Sequence, residues 1–266
     1  MTKIFKWLRQ SIISENKYIK YIFYALGEIV LVVIGILIAL SINNWNEDKK
    51  DSIKEVQILN QLKDEYNSNL LQLEQKVLLR ESIIRASREI IGFVDNPLKI
   101  NSDSLISRIA VLINDPTFDP INNDLINSGN LRLIKNERLK QLLANWPSDI
   151  VALQEIEKIW QTSTQEVVVP FCTRLGISRD VVYYFSTNAS ASTWRLDKMK
   201  NNKSYLEKSK ALVTTRKIIE NKELEGIVSV AILYNESANL QSHTLHKRIV
   251  HILDVLTKEI HNKVKS

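Results

Sequence analysis

Few side chains in this sequence are of a kind that does chemistry, and their spacing limits what each can do. The four histidines, His243, His246, His251 and His261, fall near the C-terminal end. A helical metal pair needs histidines at i and i+4 on one face, usually around a glutamate base. The intervals here are three, five and ten residues, and no acid separates the first two. That spacing predicts solvated or half-buried rings and no metal site. Cys172 is the single cysteine. It can close no disulfide within the chain and excludes every cysteine-rich metal framework. Val167, Val168, Val169 and Phe171 around it predict burial as a small, inert hydrophobe. Asp115, Asp119 and Asp124 do not keep the intervals of a calcium loop, and caps and turns account for them. Tyr183, Tyr184, Phe185 and Trp194 are the side chains to line a ligand pocket if one exists, with core packing the simpler role. The six glycines are scattered, so no phosphate cradle, nucleophile elbow or dinucleotide fingerprint forms. No catalytic residue, metal ligand or cofactor is assigned. An active site built from distant residues would leave no such trace.

One ionisable group stands in an unusual place. Glu28 lies inside the run Tyr21–Trp45, YIFYALGEIVLVVIGILIALSINNW, which from Ala25 to Ile42 is otherwise apolar but for Ser41. About 18 to 20 such residues at 1.5 Å each cross a hydrocarbon core, and no other stretch of the chain is long enough. A carboxylate within a span is costly and marks function by default. Near the N-terminal interface, Glu28 can also snorkel or be held by Lys17 or Lys20. On a helical wheel Glu28, Gly35 and Ala39 share one face. Gly35 and Ala39 form a small-xxx-small pair, which lets two helices approach closely. The face points to self-association with carboxylates near a common axis, although small residues occur in many spans without dimerisation.

The flanks orient the run. Lys3, Lys6, Arg9, Lys17 and Lys20 precede it against Glu15 alone. The positive-inside rule then places residues 1–20 in the cytoplasm and residues 46–266 across the membrane. Tyr18, Tyr21 and Tyr24 on one side and Trp45 on the other suit the two interfacial belts. A cleaved signal peptide would have a shorter apolar region, about 7 to 15 residues, and a small residue where bulky Ile42 stands. The run therefore predicts an uncleaved anchor. Ile4, Leu8 and Ile12 recur every fourth residue beside Phe5 and Ile13. This is an amphipathic segment suited to lie on the cytoplasmic leaflet, or a mere topology signal.

The run YALGEIVLVVIGILIALSINNWNE, Tyr24–Glu47, resembles the N-terminal hallmark of a family of small single-pass membrane proteins from Bacteroidota, catalogued as a domain of unknown function. The segment DLINSGNLRLI, Asp124–Ile134, with the charged helix start Lys135–Arg138, is similar to a second segment of that family. The resemblance covers nearly the whole chain. Ser41 departs from it, since relatives often carry a larger polar residue there. It implies an inner-membrane anchor with a helical extracytoplasmic, periplasmic domain, and supplies no activity, substrate or catalytic residue.

Composition sets the fold class. Six glycines and five prolines in 266 residues favour helices over a turn-rich sheet. The expected fold is all-α, one N-terminal transmembrane helix followed by a long-helix bundle. The expected divisions are 1–20, 21–45 and 46–266. The net charge of +6 is concentrated in residues 1–20, where it favours anionic lipid headgroups. The rest lacks a polybasic run with interleaved aromatics, so nucleic acid is not an expected partner.

Val56, Leu59, Leu62, Tyr66, Leu70, Leu73, Val77, Ile84 and Ile91 keep helical spacing. They predict a helix of ~45 residues ending at Gly92–Pro97, as a bundle spine or a coiled-coil strand. A short helix follows over 103–113. Asp119–Pro120 should start another that stops at Gly129. A further helix opens at Lys135 or Asn136 and runs toward Trp160, kinked or broken by Pro147 near Trp146. Val167–Pro170 and Val181–Phe185 read as short strands or apolar loop pieces, and Ser186–Thr193 as a loop. A helix from Asn202 or Ser204 through Leu206, Leu212 and Ile218 precedes a long one from Asn221 to Ile260. That last helix could pair antiparallel with the one at 48–94.

Three functions fit these residues. The first is a membrane-anchored, non-catalytic scaffold or interaction protein with an unidentified protein partner. The second is a homo-oligomeric pore with Glu28 near its axis. The third is a membrane-tethered ligand sensor, which would need a partner because only about 20 residues precede the span.

Overall fold

The computed structural model describes residues 17–97, 100, 102–121, 130–187, 206–210 and 213–265. Every regular element among them is helical, as the shortage of glycine and proline requires. The chain divides into two compact units, Met1–Gln57 and Ile58–Ser266.

The first unit holds the opening of α1, Lys17–Asp95. This helix has a window long and apolar enough to cross a membrane, and none of that window is buried against the protein. Ile29, Leu31, Ile34, Leu37 and Leu40 are exposed on successive faces. A helix apolar all round needs apolar surroundings on every side.

Among the described residues, the second unit takes the rest of α1 and six further α-helices. They are α2 (Ser102–Leu112), α3 (Glu137–Ser163), α4 (Val169–Leu175), α5 (Ser178–Thr187), α6 (Thr215–Ile219) and α7 (Lys222–Lys265). A 3₁₀ turn, Asn130–Leu133, precedes α3, and a π-turn, Thr164–Val168, joins α3 to α4. Three long helices form the frame. Buried positions on α3 are Leu139, Leu143, Trp146, Ile150, Leu153, Glu157 and Trp160, with intervals alternating between four and three. On α7 the same alternation links Ala231, Asn235, Ala238, Ser242, Leu245, Ile249, Ile252 and Leu256. It keeps one face of each helix turned to its partners. The residues of α1 at such positions pack within the chain.

Ion pairs give the directions. Arg88 of α1 meets Glu236 of α7 at 2.5 Å and Glu74 meets His246 at 3.1 Å, so α7 runs antiparallel to α1. Asp149 of α3 pairs with Arg248, and Asn136 donates to Glu259 at 2.9 Å, so α7 is antiparallel to α3 as well. Helices α1 and α3 are therefore parallel, with a groove between them. The core falls into two apolar clusters. One joins Ile83 and Ile90 to α2, α4, α5, α6 and the start of α7, around Trp160 and Phe171. The other joins Leu59, Leu62, Tyr66 and Leu73 to Trp146, Leu153, Phe118 and the second half of α7.

Helix ends follow local chemistry. Asn136 is the N-cap of α3, its side chain accepting from the Leu139 N–H at 3.0 Å. Asn221 Oδ1 accepts from the Glu223 N–H at 3.0 Å at the head of α7. Gly176 ends α4 with φ +73°, a conformation glycine takes without Cβ strain.

Three expectations need correction. Of the two outcomes expected at Pro147, a kink or a break, the break does not occur, and α3 runs on through it. The proline ring lies on the exposed face of the helix. Val167–Pro170 and Val181–Phe185 are helical, not strands or loop pieces. Pro170 follows directly on the π-turn, at the start of α4, and packing outweighs the β-preference of valine. The helix expected from 202 to 218 is only α6, since residues 206–210 are irregular. The start expected at Asp119–Pro120, with its stop at Gly129, runs into residues 122–129, outside the described residues. The segment 1–16 and Trp194 also lie outside them.

Asn136→Ala removes a cap that also holds Glu259, and is expected to lower unfolding free energy by about 1 kcal/mol in urea titration.

Candidate functional site

The strongest concentration of polar chemistry lies where no isolated motif marks it, between the two apolar clusters. Arg80 of α1 and Glu157 of α3 form an ion pair with side chains 0% and 1% exposed. Each stands in phase with an apolar stripe, Arg80 between Leu73 and Ile83, Glu157 between Leu153 and Trp160. Arg80 Nη1 donates to Ser242 Oγ at 2.7 Å and Asn239 Oδ1 at 3.1 Å on α7. Its Nη2 donates to Glu157 and to the Pro116 carbonyl at 3.3 Å. Arg80 Nε has no hydrogen-bond partner.

The pair grips a strap. Residues Asn114–Ile121, NDPTFDPI, run without helix along the groove between α1 and α3. A half-buried segment outside helix and sheet has no ladder of its own, so its backbone groups must find partners elsewhere. Side chains supply them. The Thr117 N–H donates to Asp115 Oδ1 at 3.0 Å, an Asx turn. The Phe118 N–H donates to Glu157 Oε2 at 3.0 Å and the Asp119 N–H to Gln72 Oε1 at 3.1 Å. The Ile121 N–H donates to Asn69 Oδ1 at 2.7 Å, and Asn69 Nδ2 returns a bond to the Ile121 carbonyl at 3.0 Å. Lys76 Nζ reaches the Asp115 carbonyl at 3.3 Å and Gln154 Nε2 the Phe118 carbonyl at 3.2 Å. Gln161 Nε2 holds Asp115 Oδ2 at 3.2 Å. Asn69, Gln72, Lys76 and Arg80 thus form one polar line on α1, and Gln154, Glu157 and Gln161 another on α3. Pro116 and Pro120 have no N–H to satisfy. Phe118 is fully buried in the second cluster.

Burial sets the electrostatics. Desolvation is the larger influence on Glu157 and lifts its carboxyl to about 7, against Arg80 and the Phe118 N–H, which pull it down. Desolvation likewise draws Arg80 below the ordinary guanidinium range, with Glu157 opposing. Lys76 is lowered for the same reason, against the attraction of Asp115 and Glu157. Every group in this network faces the chain's own backbone or side chains, so its chemistry is that of a clamp.

The residues singled out by type and spacing are dispersed. Glu28, Gly35, Ala39, Tyr21, Tyr24 and Trp45 all lie exposed on α1. A Cβ added at Gly35 meets nothing within 4 Å, and Lys49 Nζ stands 5.6 Å from the Trp45 ring centre. The four histidines share α7. His246 contacts Glu74, and His251 Nε2 lies 3.0 Å from Arg138. Among the described residues no group of three or more His, Cys, Asp or Glu side chains is placed to hold a metal. Cys172 is buried, and burial pushes its thiol up to about 12. Tyr183 and Tyr184 take up a cation from their own chain. Lys208 Nζ lies 5.4 and 4.7 Å from their ring centres and donates to Asp103 Oδ2 at 2.8 Å. Phe185 packs on the first cluster.

Residues 28–114 match the model of a family described only as a family of unknown function (DUF6090). The matched stretch carries Glu28, Gly35, Ala39 and the α1 side of the clamp, and stops at the residue where the strap begins. No curated protein and no solved structure matches the chain.

Removing one partner of a buried pair leaves the other charge stranded. Arg80→Ala is expected to cost about 3–5 kcal/mol in urea unfolding, and the double variant Arg80→Met with Glu157→Met to recover most of that. The raised carboxyl of Glu157 binds its proton more tightly folded than unfolded. Its contribution to stability is full below the unfolded value of about 4.3 and is lost as pH rises through about 7. Urea titrations across that window should show this component in the wild type and lack it in Glu157→Gln.

Proposed function

We propose that the protein is a membrane-anchored, non-catalytic scaffold or interaction module. The observation that carries this reading is the use made of its buried polar groups. Arg80, Glu157, Lys76 and Asn69 hold the strap of their own chain. Such a network rigidifies a body and specifies its packing. A firm helical body in a chain that also carries an all-round apolar helix suits holding or positioning a partner. On this reading residues 21–45 of α1 are the single membrane span, residues 1–20 face the cytoplasm, and residues 46–266 lie in the periplasm at the inner membrane. The basic flank and the resemblance to Bacteroidota single-pass proteins support that placement.

A second reading is favoured by one face of the apolar helix. Glu28, Gly35 and Ala39 share it, and the space at Gly35 is open. Copies of the helix packed there would form a homo-oligomer with carboxylates near its axis, as a pore would need.

The test is the oligomeric state of the full chain in nanodiscs, measured by mass photometry beside Glu28→Gln and Gly35→Leu. The scaffold reading expects one stoichiometry for all three proteins and no conductance in planar bilayers. A defined oligomer that Gly35→Leu dissociates, with conductance altered in Glu28→Gln, would replace it by the pore.

A further inference from the structure

Helices α1 and α7 carry the same exposed series, two leucines and then a cation at seven-residue intervals. On α1 it is Leu71, Leu78 and Arg85, and on α7 Leu233, Leu240 and Lys247. The four leucines are 58%, 64%, 58% and 73% exposed in that order. Such spacing keeps each series on one helix face, here a face turned away from the core. Between the two helices lies a groove of about 760 Å³, with buried Ile84 at its floor and Glu81, Arg85, Arg88, Glu236 and Leu240 among its walls. The ion pairs Arg88–Glu236 and Glu74–His246 set the register of the helices. Leu78 therefore stands within about a turn of the height of Leu240, Arg85 of Glu236, and Glu74 of Lys247. Exposed apolar residues rimmed by charge mark an interaction surface.

The charges narrow the occupant. Glu74, Glu81 and Glu236 balance Arg85, Arg88 and Lys247, so the face as a whole has neither sign. An anionic headgroup surface would meet the acids, and a strongly acidic or basic partner would find its own sign along the whole length. A second copy presents the same charges in reversed order across the groove. Rotated by half a turn about an axis along the helices, it lays its α7 over α1 at equal heights. Arg85 then meets Glu236 of the second copy, Glu74 meets its Lys247, and Leu78 and Leu240 of both copies close over Ile84. An axis across the helices would instead set α1 on α1, head to tail, with the two chains entering from opposite ends. We propose that this α1–α7 face is the contact between two parallel copies of the chain. The parallel order rests on the membrane-anchor reading above, since two copies held by one membrane enter from one side. The face itself is read from the bundle alone and is separate from the face of Glu28, Gly35 and Ala39.

The experiment uses the full chain in detergent micelles and reads the dimer dissociation constant by analytical ultracentrifugation over a dilution series. The wild type is expected to dimerise. Arg85→Glu and Glu236→Arg each set like charges against each other at both symmetry-related contacts, and each alone should weaken the dimer at least about tenfold. Mixed in equal amounts, the two variants bring opposite charges together again at both contacts, and the wild-type constant should return. The double variant Leu78→Asn with Leu240→Asn changes only exposed side chains. It should lose the dimer and keep the helical circular dichroism of the wild type, whereas Gly35→Leu should keep the dimer. A monomeric wild type, a dimer that survives the leucine variant, or one that Gly35→Leu dissociates overturns the proposal. So does a mixture as weak as its parts, which is the result that a head-to-tail α1–α1 contact would give. Flotation of the reconstituted chain with liposomes reports on the anchor separately. A chain that does not float fails the anchor reading, while the charge exchange still decides the contact.

Discussion

A polypeptide can run half-buried between two helices without helix or sheet of its own only if something else satisfies its backbone. In this bundle that something is a set of seven long polar side chains on two parallel helices. Asn69, Gln72, Lys76 and Arg80 face Gln154, Glu157 and Gln161 across the strap Asn114–Ile121. The arrangement is reciprocal. Each buried polar side chain would be a liability alone, and so would the strap's amides and carbonyls. Arg80 adds the third helix by reaching Ser242 and Asn239, so the strap fixes the mutual register of α1, α3 and α7 as well as its own path.

The polar layer has a second effect. It separates two apolar clusters that would otherwise be one continuous seam. A seam of uniform leucine and isoleucine with alternating three and four spacing tolerates sliding by a heptad, whereas a single buried polar position penalises every register but one. Asn235 and Ser242 on α7, and Asn69 and Ser87 on α1, are buried at positions of the same series. The specificity of the bundle rests on these exceptions more than on the apolar majority.

The same exceptions explain what could be read from the sequence. The helical class, the long α1 and α7 and their antiparallel pairing, the Asn136 cap and the burial of Cys172 follow from periodicity and short-range chemistry, and the structure has them. The clamp does not follow, because reading apolar residues alone skips the polar ones between them. Glu157 at the interval linking Leu153 to Trp160, and Arg80 in phase between Leu73 and Ile83, were the available signals. A charged residue at a core position asks for a partner at another such position. The two helices around Val167 and Val181 were hidden for a different reason. Valine-rich segments carry β-preference, and only the packing of Phe171 and Val181 into the first cluster decides for helix.

The clamp also orders the making of the protein in time. Arg80 finds Glu157 77 residues later in the chain and Ser242 162 residues later. A chain emerging from the ribosome carries Arg80 and the strap long before either partner exists, and contacts of such separation are the slow ones to close. Until α7 is complete, the guanidinium stays wet and the strap stays loose. The centre of this bundle is thus finished last, and a chain cut short before α7 lacks the residues that complete it.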